Sequence, residues 1–349
     1  MKFSIDKEYL LDSFRRIINI PSPTRYYVKL NPVLTEMASE LGLETETDMR
    51  GTLYITLSGE DNSKSVMISA HADTIGMVVS SVTADGKIKM RTLGGVNYHS
   101  AEGCFVTVHT RDGREYTGTL YCKTHSTHVF ADCRATERTE DNMMVILDED
   151  AKTESDVRSL GIRNGDYIAI DPGFRYTKNG YVKSRFIDDK GGIACCFAML
   201  KYLKENNLKP KYKTILAFPY FEELGTGGRY IPDGVSEYVA VDIGLVGGEL
   251  SGDEKKVSIC AKDALGAYDY ELTSHIIECA EKAECDHAVD VFLRYSTDAN
   301  AVVRGGNNVK NAAFGMAVYG SHGMERTHID GLANTTNLML AYVLDIVRS

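Results

Sequence analysis

From Asp188 onward the chain alternates short apolar runs with stretches whose apolar residues recur at the helical period, and this restricts the fold more than any other feature. Ile193, Cys196, Phe197, Leu200 and Leu203 mark one face of a helix ending near Asn206-Asn207. Thr214–Phe218 and Tyr238–Val241 read as strands; Leu272, Ile276, Cys279 and Ala283 predict another helix, Ala288–Leu293 and Phe314–Tyr319 two further strands, and Leu332–Val347 a closing helix. Strands so continuously apolar are buried on both faces. Repeated strand–helix units of this kind imply an α/β fold, a mixed, mostly parallel sheet sandwiched by helices.

The N-terminal part supplies the same ingredients. Asp6 is placed to cap a helix carrying Tyr9, Leu10, Phe14, Ile17 and Ile18, closed by Pro21 and Pro23. A second helix is predicted from Pro32 to about Leu41, then strands at Thr52–Leu57 and Ser65–Ala70, the latter delivering His71-Ala-Asp73. Between Gly76 and Asp171 the texture changes. Short alternating segments (Val78–Val82, Lys87–Arg91, Phe105–His109, Glu115–Tyr121, Val145–Leu147, Tyr167–Ile170) are separated by turn signals such as Ala84-Asp-Gly86 and Arg111-Asp-Gly113. Residues 76–171 therefore read as a β-rich, barrel-like domain inserted into a domain made of 1–75 plus 172–349. The polar, His-containing stretch Thr124–Asp141 reads as a loop within it.

Charge narrows the function. A formal net charge of −10 lacks the basic balance of nucleic-acid or anionic-membrane binders, so neither is expected as a partner. No run approaches the roughly 18 apolar residues of a membrane span, and the first residues lack the apolar core of a signal peptide. Eight cysteines with no Cys-x-x-Cys pair read as reduced thiols of a cytoplasmic protein. Any metal would be held by oxygen and imidazole.

Polar groups collect where the strands end. His71, Glu222-Glu223 and Asp242 each follow a predicted strand, His328 follows one a few residues later, and Asp188 stands at a helix entrance. In open α/β sheets these ends share a ligand-binding edge. Singly, each is better explained as a hydrogen-bonded structural residue, a solvated turn or a cap. Jointly, two His, two Asp and a Glu would be costly to bring together without cations. They form the inventory of a two-metal hydrolase site.

The motifs that carry these residues are His71-Ala-Asp-Thr-Ile-Gly76, Ile187-Asp-Asp-Lys-Gly191, Phe221-Glu-Glu-Leu-Gly225, Val241-Asp-Ile-Gly244, Ser296-Thr-Asp-Ala299 and Met324-Glu-Arg-Thr-His328. Their order resembles the glutamyl/tetrahedral aminopeptidase family of co-catalytic metallo-aminopeptidases, and Leu160-Gly-Ile-Arg-Asn-Gly-Asp166 resembles part of that family's inserted β-domain. The resemblance implies a zinc-exopeptidase-like fold and removal of N-terminal residues from peptides. It implies two divalent ions, zinc with cobalt or manganese as alternatives, the first on His71, Asp188 and Asp242 and the second on Asp188, Glu223 and His328. Glu222 would be the general base, Asp73 would orient His71, and Asp189 would support without binding metal, across a cis Asp188–Asp189 peptide. Asp298 would either line the pocket for the first substrate residue or serve a structural role, whereas His322, His125, His128 and His99 have no counterpart and are expected not to bind metal. The inserted domain would mediate a homo-oligomer, dimer-based and up to a dodecamer. A carboxypeptidase or amidohydrolase could use the same site. A glycosidase built on Glu222 and another acid, or a scaffold with a dead site, fits the histidines and the full ligand set less well.

Overall fold

The computed structural model describes residues 2–346, so the expected end of the last helix at Val347 lies outside the described residues. Those up to Asp73 and from Gly173 onward form one compact unit, and Thr74–Pro172 form a second.

The first unit opens with α1 (Lys7–Ile18) and α2 (Leu30–Glu40). The Asp6 carboxylate accepts from the amides of Glu8 and Tyr9, a cap whose loss typically costs about 1 kcal/mol, and α1 buries Leu10, Phe14, Ile17 and Ile18. Strands β1 (Glu46–Thr47), β2 (Leu53–Leu57) and β3 (Asp61–Ser69) follow.

In the second unit, β4 (Gly76–Val82), β5 (Ile88–Leu93), β6 (Phe105–His109), β7 (Glu115–Cys122), β8 (Met143–Leu147) and β9 (Tyr167–Ile170) close into an antiparallel barrel of order β4-β5-β8-β7-β6-β9, with short helices α3 (Tyr98–Ala101) and α4 (Glu154–Ser159). Both anticipated Asp-Gly turns are present, with Gly86 and Gly113 at φ 75° and 88°, the left-handed region where glycine is free of strain. Inside the barrel Met77, Ile88, Met90, Val108, Leu120, Val145 and Ile168 are buried.

The first unit then resumes with β10 (Arg175–Tyr176), β11 (Tyr181–Ser184), α5 (Ile187–Glu205), β12 (Tyr212–Phe218), β13 (Val235–Val241), β14 (Gly244–Leu245), β15 (Val257–Lys262), α6 (Tyr270–Lys282), β16 (His287–Val291), α7 (Asp298–Arg304), β17 (Lys310–Val318), β18 (Glu325–His328) and α8 (Ile329–Val343). Its main sheet has the order β1-β2-β12-β3-β13-β17-β15-β16, with β14 beside β17. Strands β12, β3, β13 and β17 are neighbours and all parallel, while β1–β2, β2–β12 and β15–β17 are antiparallel, which makes the sheet mixed and mostly parallel. Ile215, Ala217, Tyr238, Ala240 and Ala313 on one face cluster with Ala299 and Val302 of α7. Alternate strand residues point the other way, and there Phe218 of β12 stacks on Phe197 of α5 with ring centroids 6.0 Å apart. Helices therefore cover both faces. A separate three-stranded sheet, β10-β11-β18, stands apart from the main one and bears on the site.

Candidate metal centre

Because β12, β3, β13 and β17 run parallel, their C-terminal ends share one edge. β3 stops at Ser69 just before His71, β12 at Phe218 before Glu222 and Glu223, β13 at Val241 immediately before Asp242, and β17 at Val318, four residues before His322. The start of α5 adds Asp188 and Asp189, joined by a cis peptide as expected.

The side chains converge. His71 Nε2 lies 2.9 Å from Asp188 Oδ1 and 3.9 Å from Glu222 Oε2. His322 Nε2 lies 3.7 Å from Asp188 Oδ2 and 3.6 Å from Glu223 Oε2. Ligand atoms of His71, Asp188 and Glu223 fall within 4.8 Å of one another, as do those of His71, Glu222 and Asp242. His71 Nδ1 is 2.9 Å from the Asp73 main-chain oxygen, an arrangement in which Nδ1–H donates and Nε2 presents a lone pair. A lone pair facing a carboxylate at 2.9 Å is repulsive unless a proton or a cation lies between them. Imidazole nitrogens and carboxylate oxygens in this number fit two divalent ions, with Asp188 positioned to serve both.

Asp73 meets the His71 ring twice: its carbonyl oxygen lies 2.9 Å and its carboxylate Oδ1 3.6 Å from Nδ1, while the carboxylate also accepts from the amides of Glu222 (3.2 Å) and Glu223 (3.4 Å) and from the Thr24 hydroxyl (2.9 Å). Asp73 thus ties the turn after β12 to the end of β3. Asp189 accepts from the His71 amide (3.1 Å) and the Gly192 amide (3.2 Å). A Cβ on Gly192 would fall 2.4 Å from that carboxylate, which explains the second glycine of the motif.

His328, which the motif order places among the ligands, stands outside this cluster in the structure. Its Nε2 faces the Asn179 carbonyl oxygen at 2.8 Å, its Nδ1 accepts from the Asp330 amide at 3.1 Å, and its ring packs edge-on against Tyr181. Both nitrogens are engaged in capping α8 and fastening the β10–β11 turn, so neither retains a lone pair for a cation. His322, set aside by the motif comparison, is the second histidine beside Asp188 and Glu223. A signal for it exists in the sequence: it lies nearer the end of the preceding strand than His328 does.

Electrostatics follow from the crowding. Burial, reinforced by the charge of Asp188, pushes Asp242 up to about 7, although the Ile243 amide and the Tyr295 hydroxyl bond to it. Burial and the neighbouring acids also push Glu222 and Glu223 well above the usual carboxylate range, against the opposing pull of His71. For His71 burial acts downward, yet the bonds to Asp188 and Asp73 prevail and hold it well above the ordinary imidazole value. The centre opens into a cleft of about 400 Å³, also lined by Leu245, Arg294, Tyr295 and Ser296. Asp298 is buried, its carboxylate packed where a Cβ on Gly227 would fall 2.1 Å away, and it is not among the residues lining that cleft.

Comparison with known proteins follows this geometry. Residues 51–338 match the family model described as M42 glutamyl aminopeptidase. YhfE of Bacillus subtilis (strain 168) is 35% identical over 95% of this chain and 96% of its own. Among solved structures, aminopeptidase APDkam598 from the archaeon Desulfurococcus kamchatkensis superposes with a TM-score of 0.87 at 20% identity, over 97% of this chain and 95% of that one. The Pyrococcus horikoshii TET1 peptidase gives a TM-score of 0.84 at 22% identity, over 96% and 99%. At those identities the structures establish the shared fold, while the family match extends over most of the chain. The chain belongs to the M42 glutamyl aminopeptidase family, whose members are metal-dependent hydrolases.

Proposed function

We propose that the chain removes N-terminal residues from peptides at a two-metal centre in which His71, Asp188 and Asp242 hold one divalent ion and Asp188, Glu223 and His322 hold the other. The observation that supports this best is the convergence of His71, Asp188, Glu222, Glu223, Asp242 and His322 on the carboxyl edge of four parallel strands. Zinc is the first candidate, with cobalt or manganese as alternatives, since the donor set suits all three. Such ions polarise a scissile carbonyl and make hydroxide available near neutral pH.

The protein's own groups do the rest. Glu222 is the general base: it lies beside His71 and lines the cleft, placed to take a proton from the attacking water and pass it to the leaving amine. Asp73 holds Glu222 and Glu223 through their amides, and through its carbonyl it orients His71. A homo-oligomer with the barrel unit as its mediator completes the reading; the Pyrococcus horikoshii TET1 peptidase can assemble into a tetrahedron or a large octahedral shell. Eight free cysteines suit a reducing, cytoplasmic setting.

The test uses amino-acid anilides with a free or blocked amine, with and without chelator, beside metal analysis. Chelator-sensitive cleavage of the free-amine substrates is expected; cleavage of blocked substrates only, or indifference to chelator, would overturn the reading. Glu222→Gln should keep its metal and lose at least about 100-fold in kcat.

A further inference from the structure

We propose that Glu325 is a positioning residue that sets Asp188 and His322 at the spacing a shared cation needs, an inference that rests on the two-metal reading above. Glu325 opens β18, where it pairs in register with Ser184 of β11, the strand that leads into Asp188. It is 1% exposed. Its Oε2 accepts from the Asp188 amide at 3.1 Å and its Oε1 from the His322 amide at 3.2 Å, and the Ile187 amide bonds to it as well. One carboxylate thus joins the backbones of two candidate ligands that lie far apart in sequence.

The backbone shows why a clamp is needed. His322 has φ 61° and Phe186, two residues before Asp188, has φ 66°. Left-handed non-glycine residues persist where surrounding bonds over-determine them. Glu325 contributes such bonds on both sides, three residues after His322 and opposite the end of β11. Its bonds reach Asp188 and His322 and not His71 or Asp242, so it bears on the second ion through two ligands and on the first through Asp188 alone.

Glu325→Gln keeps the size of the side chain but replaces one acceptor oxygen with a donor that opposes an amide. Chelator-stripped protein titrated with zinc alone, in competition with a chromophoric chelator, would report both ions, and denaturant unfolding of the stripped protein would report the fold. The expected result is two tight ions in the wild type and, in Glu325→Gln, one ion weakened about 10–100-fold, the range seen when residues supporting metal ligands are replaced, with the other, which meets Glu325 only through Asp188, weakened less. Equal affinities in the two proteins, or a loss of stripped-protein stability with unchanged affinities, would overturn the clamp alone. A wild type that binds no zinc would overturn the two-metal reading and the clamp with it. If Glu325→Gln does not fold, Glu325→Asp, too short to span both amides, provides the same comparison.

Discussion

Gly315 offers a steric test of how the sheet aims Asp242. It lies within β17, opposite Ser258 of β15, and its φ is not in the left-handed region, so alanine there meets no backbone strain. The conflict is with the neighbouring strand. A methyl group would stand 1.9 Å from the Asp242 carbonyl oxygen and 2.7 Å from its carbonyl carbon, whereas real contacts of this kind essentially never fall under 3.0 Å. The two backbones must therefore separate by at least about 1.1 Å. No flexible side chain absorbs the shift, because the obstacle is main chain, held in place by the Asp242 amide on the Phe314 carbonyl at 3.1 Å. Overpacking of this kind destabilises by about 1–3 kcal/mol. Misplacing a reacting group by ~1 Å lowers the rate roughly 100-fold, which corresponds to about 2.7 kcal/mol of barrier. Gly315→Ala should therefore lose about 100-fold in kcat/KM on a free-amine anilide and bind its metal more weakly. Gly191→Ala is the control, since its methyl would meet only side-chain ends of Ile187, Leu332 and Met316 at 3.2–3.4 Å, and it should retain most of its activity. A folded Gly315→Ala enzyme with undiminished kcat/KM and metal affinity would refute the claim that this strand contact places Asp242.

His322→Ala should bind one ion fewer with little change in the fold, whereas His328→Ala should keep its metal and lose about 1–3 kcal/mol, because the α8 cap and the bond to the Asn179 carbonyl disappear; metal analysis and denaturant unfolding separate the two, and the reverse pattern would restore His328 as the ligand. At Glu237 burial acts upward, but bonds from the Lys64 ammonium (2.6 Å) and the Tyr342 hydroxyl (2.7 Å) prevail and hold its carboxyl below the usual value. A carboxyl depressed on folding adds stability above its unfolded value, about 4.3, and that stability fades as pH falls through the folded value. The stability difference between wild type and Glu237→Gln should be full at pH 7 and shrink in acid, and a difference that persists unchanged would contradict the cause assigned.

The central strands are legible in sequence because burial on both faces leaves uninterrupted apolar runs, as in Ser65–Ala70 and Thr214–Phe218. β15 escapes that reading. Its Ser258 is buried against Gly244, whose Cβ would fall 2.2 Å from the serine's, so close packing against β14 selects a small polar residue where a large apolar one would announce a strand. The short α7 escapes for a different reason: at seven residues, Asp298–Arg304 is too brief to show a helical period.

The site divides along similar lines. His71, Glu223 and Asp242 are legible because each follows a strand whose apolar run is unmistakable. His328 closes β18, which pairs antiparallel with β11 in a different sheet and so does not end on the edge shared by the parallel strands. His322 follows β17, whose parallel pairing with β13 brings its C-terminal end to that edge. The residue count past Val318 favours His322, but the count gains its meaning only from knowing that β17 and not β18 belongs to the main sheet. That pairing joins Val235–Val241 to Lys310–Val318 across about 75 residues and leaves no local mark in either segment. Motif order therefore points to His71 and the acids of the cluster, and long-range strand pairing decides which of two nearby histidines stands beside them.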